Sequence, residues 1–259
     1  MPNDRRGEPT PRSPLNLLPR IFSRHFAEGA VVEVGAIGRR WRAIRIRCTE
    51  MARLRYAPGQ HVRIELRDPF SVYGILRPAE TMRTYTIWNW DERNQCFELR
   101  VHLYDGDGIG LTWARDVRAG QTVRFWGPQG DFLFKPAAFH LFIGDETATA
   151  AFGPLMAAAG PLTKQVGIIE VDALEDRLPL PAPETVRWLL RKGASPTGSR
   201  RLLDAVHEAD LPKVGAMAYV AGEARTCQMI RDHLVSRRGW ARSNVQVKPF
   251  WATGKRGLH

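Results

Sequence analysis

An antiparallel β-barrel followed by a doubly wound α/β domain, a β + α/β chain, is the fold class this sequence predicts, and three observations predict it. The first is a series of short runs rich in β-branched and aromatic residues between about residues 30 and 134, punctuated by the turn sequences APGQ, YDGDGIG, RAGQ and GPQG. The second is a change of pattern after KPAAF at 135–139, from strands alone to strands alternating with helices. The third follows from that alternation, because successive strand–helix–strand units require right-handed crossovers and a parallel sheet covered on both faces.

The elements follow in chain order. Residues 1–28, rich in Pro and Arg, read as a basic N-terminal arm. Residues 29–135 supply the strand runs AVVEV, RWRAIRIRC, HVRIEL, MRTYTIWNW, CFELRVHLY and TVRFWG, five or six strands suited to a small barrel. WRAIRIR alternates apolar and basic residues as a half-exposed strand does. Residues 136–259 form the second domain. HLFIG is a buried strand, 147–159 a helix, QVGIIEVDA and TVRWLLR strands, and SRRLLDAVHEAD a helix with apolar positions at Leu202, Leu203 and Val206. AMAYVAG is a strand, EARTCQMIRDHLVSRRG a helix closed by Gly239, and NVQVKPFW the last strand. There is no internal repeat.

Thirty-eight Lys and Arg against 27 Asp and Glu give a formal charge of +11, which favours anionic partners without choosing among them. The basic residues are spread through both domains and the arm rather than gathered with aromatics on one face, which ranks a nucleic-acid-binding module low. Cys48, Cys96 and Cys227 are far apart, so neither a zinc site nor a disulfide framework is indicated, and a reducing cytoplasm is the plain reading. Arg5-Arg6 lacks the apolar region of a twin-arginine signal, and the small-apolar stretch 148–159 is too short to span a bilayer. The expectation is a soluble, cytoplasmic, monomeric protein with no membrane insertion.

Two turns carry candidate chemistry. GDETA (144–148) and AGEA (221–224) each place a Gly and an acid where a strand ends and a helix begins. In an open α/β sheet, ligands bind beyond the carboxyl ends of the strands. Glycine admits a ligand close to the backbone, and a helix start offers unpaired N–H groups. Helix capping by Asp145, Glu146, Thr147 and Glu223 accounts for one such turn equally well; two in one sheet favour a site. The Gly-x-Gly-x-x-Gly dinucleotide fingerprint is absent. In the barrel, RTYT (83–86) offers an Arg suited to a phosphate, a Tyr ring able to cover a flat aromatic group, and Thr groups able to hydrogen-bond ring nitrogens; Tyr85 as an ordinary core residue is the alternative.

PGQHVRI (58–64), RTYT (83–86), DGIGLTWA (107–114), GPQG (127–130), GDETA, IIEV (168–171), VRWLLR (186–191), YVAGEA (219–224) and PFWATGKRG (249–257) occur in one chain and in this order. The combination resembles the siderophore-interacting proteins, flavin-dependent ferric-siderophore reductases of the ferredoxin-reductase-like superfamily. The resemblance implies a flavin-binding barrel and a nucleotide-binding α/β domain. It implies FAD as cofactor, NADPH or NADH as electron donor (a reduced ferredoxin in some members), and a ferric siderophore as substrate. Carried over by position, Arg83 faces the FAD phosphate, Tyr85 the isoalloxazine and Thr86 its reactive edge, with Thr84 also among the cofactor-binding residues. Gly108 and Gly110 lie by the pyrophosphate. Asp145, Glu146, Thr147 and Ala148 line the interdomain cleft, Gly222 and Glu223 adjoin the nicotinamide nucleotide, and Trp251 either shields the flavin or packs the domain seam. Arg63, Lys248, Lys255 and Arg256 are candidates for an anionic chelate. No metal ligand and no residue in covalent or acid–base catalysis is assigned. A flavoprotein reductase of another acceptor, such as free flavin or an electron-transfer partner, is the alternative.

The departures are specific. Gln129 stands where the family has a basic residue, which counts against a highly anionic tris-catecholate substrate. Thr149-Ala150 replaces a Leu-Pro pair, Leu190 replaces a His, and the stretch holding Tyr104 and Ile109 is altered. Arg191 and Lys192, at a strand end, would favour NADPH if they met a 2′-phosphate, and are otherwise exposed charges.

Overall fold

The computed structural model describes residues 26–53, 56–67, 71, 76 and 81–255. The first domain contains β1 (Ala27–Ile37), β2 (Trp41–Arg47), β3 (His61–Glu65), β4 (Met82–Asp91), β5 (Cys96–His102), helix α1 (Ile109–Asp116) and β6 (Thr122–Gln129). Its six strands close into a barrel in the order β1-β2-β5-β4-β3-β6, every neighbour antiparallel and β6 returning to pair with β1. Alternate residues point inward, so Ile44, Ile46, Val62, Ile64, Ile87, Phe97, Leu99 and Phe125 form the buried interior, with Phe97 set edge-on to Phe125 at 5.1 Å.

The second domain contains β7 (Phe139–Asp145), α2 (Thr149–Ala159), β8 (Lys164–Val171), β9 (Val186–Leu190), α3 (Arg200–Glu208), β10 (Ala216–Glu223), α4 (Ala224–Asp232) and β11 (Val245–Trp251). The sheet is wholly parallel, in the order β11-β10-β7-β8-β9. β7 and β10 are buried along their whole length, as expected of central strands covered on both faces. One face packs Leu141, Ile143, Ala218 and Val220 against Leu202, Val206, Cys227 and Ile230 of α3 and α4. The other packs Phe142, Ile169 and Tyr219 against Ala151, Phe152 and Leu155 of α2. Both faces are therefore covered, as a doubly wound sheet requires.

Three local differences from the sequence reading have physical content. The stretch around Gly108 and Gly110, expected as a loop, is the start of α1: Gly108 precedes its first turn, and Gly110, Leu111 and Ala114 face inward. Two glycines in five residues hide a helix from propensity, since each disfavours it by about 1 kcal/mol relative to Ala. The helix expected over 147–159 opens with a 3-10 turn, Glu146–Ala148, before α2 proper. The last long helix ends as an α-helix at Asp232 and continues as a π turn, His233–Arg237, with Gly239 beyond it at φ 73°. Among the described residues no helix is long and apolar enough to cross a membrane.

Candidate functional site

The two domains meet around a cavity of about 750 Å³. Its barrel wall forms where β4 and β5 part. The β4–β5 ladder begins at Ile87↔Leu99. Before that point β4 stays paired with β3 from Met82 to Thr86, and β5 stays paired with β2 out to His102. Among the described residues Thr84–Thr86 therefore has a ladder on one edge only. The cavity enters the gap, bordered by Thr84, Tyr85 and Thr86 on one side and Arg100, Val101 and His102 on the other. An unladdered strand edge presents backbone donors and acceptors in a row.

Directly paired residues of an antiparallel ladder share a face. His61↔Thr86 and Arg63↔Thr84 are such pairs, and all four residues border the cavity from the outer face of the barrel. Val62 and Ile64, paired with Tyr85 and Arg83, belong to the opposite, inner face. Arg83 and Tyr85 accordingly turn toward α1. The Tyr85 hydroxyl donates to the Gly110 carbonyl at 2.9 Å, and the ring lies 5.3 Å from that of Trp113. Burial pushes the Tyr85 phenol well up from its ordinary value. Helix and strand are so close that a Cβ on Gly110 would lie 2.7 Å from the Tyr85 hydroxyl oxygen and 2.8 Å from Arg83 Cγ. The two barrel motifs, RTYT and DGIG, are thus one packed unit.

The α/β wall is built at the sheet's switch point. From β7 the chain moves outward through β8 and β9, then returns to β10 on the other side of β7. Asp145 ends β7 and Glu223 ends β10. Asp145 is buried and accepts four hydrogen bonds: from the Thr147 N–H at 2.9 Å, from the Thr147 hydroxyl, from the Glu223 N–H at 2.8 Å and from the Trp251 indole N–H at 2.9 Å. Burial and neighbouring Glu146 push its carboxyl up to about 6, against the pull of those donors. Gly222 at φ 117° passes directly over it, and a Cβ there would lie 2.5 Å from the carboxylate. Glu223 caps α4, accepting from the N–H groups of Arg225, Thr226 and Gly198 and from the Thr226 hydroxyl. Burial works against its charge, but these donors outweigh it and hold the carboxyl below its ordinary value.

Glu146 faces the cavity with its carboxylate gripped by Arg191 through bonds of 2.6 and 3.0 Å. Arg191 is buried, with Glu170 at 3.7 Å and Asp172 at 3.9 Å. The reading of Arg191 as a free cation for a 2′-phosphate is therefore corrected: three carboxylates surround it. The Thr149-Ala150 departure also acquires a structure, since the Thr149 hydroxyl donates to the Glu146 carbonyl at 2.6 Å and Ala150 borders the cavity.

Of the residues singled out from sequence, Thr84, Tyr85, Thr86, Glu146, Thr147, Trp251, Arg63, Lys248 and Lys255 border the cavity, as does Gln129. Asp145 and Ala148 lie behind its α/β wall, so their expected place lining the cleft is corrected: Ala148 is fully buried, and Asp145 makes the switch-point contacts just described, together with Gly222 and Glu223. Arg83, Gly108 and Gly110 gather at α1 instead of on the cavity. Arg256 falls outside the described residues. Sequence reasoning missed His61, Arg100, His102 and Phe132, all of which border the cavity. His61 was recoverable, because it stands two residues before Arg63 on one strand and so shares its face. His102 was not: its partner is Asp176, 2.9 Å away but in the other domain.

The chain matches the family model for the siderophore-interacting protein over residues 137–254, and that for the siderophore-interacting FAD-binding domain over residues 76–132. It is 30% identical over 182 residues to the ferric vibriobactin reductase ViuB of Vibrio cholerae, a match spanning 67% of this chain and 65% of that reductase. The structure is similar to that of a siderophore utilization protein from T. fusca, with a TM-score of 0.77 and 25% identity over 90% of this chain and 95% of the other. It shares its fold with the siderophore-interacting protein SipS from Aeromonas hydrophila, with a TM-score of 0.75 and 23% identity over 89% and 93% of the two chains. With a matching FAD-binding barrel, a matching second domain and a whole-chain structural counterpart, the chain belongs to the siderophore-interacting protein family.

Proposed function

We propose that the chain is an FAD-dependent reductase of ferric siderophores, drawing electrons from NADH or NADPH. The observation that carries this reading is the interdomain cavity, which joins an unladdered Thr84–Thr86 edge to a wall of basic side chains. The residues fit a flavin. The volume lies within the roughly 300–1,000 Å³ usual for ligand pockets. The strand edge offers hydrogen bonds to a planar heteroaromatic ring, and Tyr85 and Trp251 border the same space. Thr84, Tyr85 and Thr86 would hold the ring, while Arg83 and the Gly108–Gly110 turn would take the phosphate end beside α1. When bound, FAD supplies the means to take an electron pair from a nicotinamide and to release electrons singly to iron.

The chain's own part is orientation and charge. Asp145 fixes the Trp251 indole by a 2.9 Å hydrogen bond, so this wall of the cavity is held from the switch point. Glu146 and Thr147 present the edge at which the nicotinamide would enter, with Gly222 and Glu223 supporting it from behind. Arg63, Lys248 and Lys255 give the cavity a positive wall, and the one carboxylate bordering it among the described residues, Glu146, is neutralised by Arg191. This suits an anionic iron chelate. Reduction to Fe(II) lowers the metal's charge and loosens its hold on hard oxygen ligands, so release needs no covalent step by the protein.

The purified protein is expected to be yellow, or to become so with FAD. It should then reduce ferric siderophores with NADH or NADPH, as followed by a chromogenic ferrous chelator. A colourless protein that cannot be reconstituted, or a flavoprotein inert toward every ferric chelate yet active on free flavin, overturns the reading. Gly110→Ala sharpens the test. The added methyl cannot fit between α1 and the Arg83–Tyr85 face, so FAD affinity is expected to fall by about tenfold or more, in line with the roughly 1–3 kcal/mol usual for overpacking. Equilibrium FAD titration of the apoprotein reads it, and unchanged affinity would separate the DGIG turn from cofactor binding.

A further inference from the structure

We propose that His61 is the proton-accepting member of the anionic-chelate subsite: an anionic iron chelate bound against Arg63 and Lys248 draws a proton onto the His61 imidazole, making chelate binding and proton uptake one event. The proposal rests on the functional reading above, because it requires the cavity to take a chelate. It adds a residue and a thermodynamic linkage that the reading does not contain.

His61 stands on the outer face of β3, paired with Thr86 of β4 on one side and Gln129 of β6 on the other. The Nδ1–Cε1 edge of its ring lies against Gly130, where a Cβ would be 2.7 Å from both atoms. The ring makes no hydrogen bond to any described residue, yet it borders the cavity. Among the described residues the groups around it are few. Arg63 faces it from its own strand, Lys248 from β11 and Asp131 from the turn after β6, while Thr86 and Gln129 are uncharged. Asp131 is itself engaged by Lys248 at 3.4 Å and is largely exposed, so the cations prevail.

With no anion present, burial, then Lys248, then Arg63 hold the imidazole neutral, down to about 4. An anionic chelate drawn to the same cations reverses the sign of the local field. An opposite charge within about 4–6 Å favours the protonated form by about 1–3 pKa units. That lifts His61 from about 4 to between about 5 and 7. The sign follows. Between the pKa of the open site and that of the occupied one, the complex holds a proton the free protein lacks. Affinity for an anionic chelate therefore falls as pH rises through that window, by up to about tenfold per pH unit. A neutral chelate produces no such field and no such slope. Beside Arg63 and Lys248, His61 carries the imidazole, the side chain suited to exchange a proton between about pH 5 and 8.

Gallium(III) chelates, which cannot be reduced under these conditions, isolate binding from chemistry. The FAD-loaded protein is titrated calorimetrically with an anionic gallium tris-catecholate and a neutral gallium tris-hydroxamate, in buffers of different ionisation enthalpy. For the anionic complex, uptake of most of one proton is expected near the middle of the window, at about pH 5. The neutral complex should give none, and H61Q should lose the uptake, with the flavin spectrum confirming its fold. Binding of the anionic complex without uptake in the wild type, or equal uptake in H61Q, overturns the proposal while leaving the functional reading intact. Failure of the anionic complex to bind overturns the proposal, and failure of both gallium complexes overturns the functional reading with it. A wild-type measurement stands independently of the variant: the His61 Cε1–H resonance should titrate at higher pH in the gallium tris-catecholate complex than in its absence, and an unmoved midpoint overturns the proposal.

Discussion

Gly153→Ala is expected to destabilise the protein by about 3 kcal/mol, although it replaces a poor helix former with the best one. Gly153 lies in the middle of α2, against the indole of Trp88. Trp88 sits on the outer face of β4, two residues beyond Thr86, so this contact joins the α/β core to the barrel beside the cavity. A Cβ at 153 would lie 1.9 Å from Trp88 Cζ3 and 2.0 Å from Cη2. Rotation of the indole is resisted by the Arg100 guanidinium, which stacks 3.7 Å from the ring. Helix propensity alone predicts a gain of about 1 kcal/mol. The steric account predicts a loss at the upper end of the roughly 1–3 kcal/mol range for overpacked cores. The two have opposite signs, so one thermal melt decides. A fall of several degrees is expected, since a domain of this size loses roughly 2–4 °C per kcal/mol. The double variant Gly153→Ala/Trp88→Leu should recover part of the loss, giving a coupling energy of about 1 kcal/mol or more between the two sites. A Gly153→Ala protein as stable as the wild type would mean that the two domains are not held together at this contact.

The same contact shows why the fold was legible in the sequence and the domain seam was not. Six barrel strands and five sheet strands were readable because each is a local pattern: alternation in WRAIRIR, continuous burial in FHLFIGD and AMAYVAGE. Gly153 and Trp88 are also visible in the sequence, but nothing local says that they touch. The Glu146–Arg191 pair is the same kind of case. The arginine reads as a surface cation at a strand end, and only the packing of β9 beside β8 carries it into a cage of carboxylates. α1 was lost for the converse reason, since Gly110 is required by close approach to Tyr85 and Arg83, and that requirement overrides its low propensity. At the site, the motif residues fell into place as two groups rather than one. RTYT is a strand whose even positions, Thr84 and Thr86, face the cavity, while Arg83 and the Tyr85 hydroxyl engage α1. A motif names four consecutive residues; the pleat divides them between two neighbours.

Asp145→Asn is expected to release the Trp251 wall of the cavity and to cost about 2–4 kcal/mol of stability. The carboxylate serves two pairs of donors, Thr147 N–H and hydroxyl on Oδ1, Glu223 N–H and the Trp251 indole on Oδ2. An amide has one acceptor oxygen, so in either orientation its NH₂ group confronts one pair of donors. Each donor left unsatisfied in a buried site costs about 1–3 kcal/mol, offset in part because the amide carries no charge to desolvate. The Thr147 pair closes the local turn, so the amide oxygen is expected to stay with it and Trp251 to be the partner set free. FAD affinity, if Trp251 borders the flavin as proposed, should then weaken by at least about tenfold, a change that needs only about 1.4 kcal/mol. The pH dependence tests the electrostatics separately. With its carboxyl raised from 3.8 to about 6 in the folded protein, Asp145 holds a proton between those values that the unfolded chain has lost. Its contribution is therefore fully present below about 4, declines as pH rises to about 6, and is constant above. The stability gap between wild type and Asp145→Asn should narrow over that interval, as measured by denaturant melts at successive pH values. A gap that widens instead would mean that the four donors outweigh burial and Glu146, placing this carboxyl below its ordinary value and making the switch point a preorganised anion clamp.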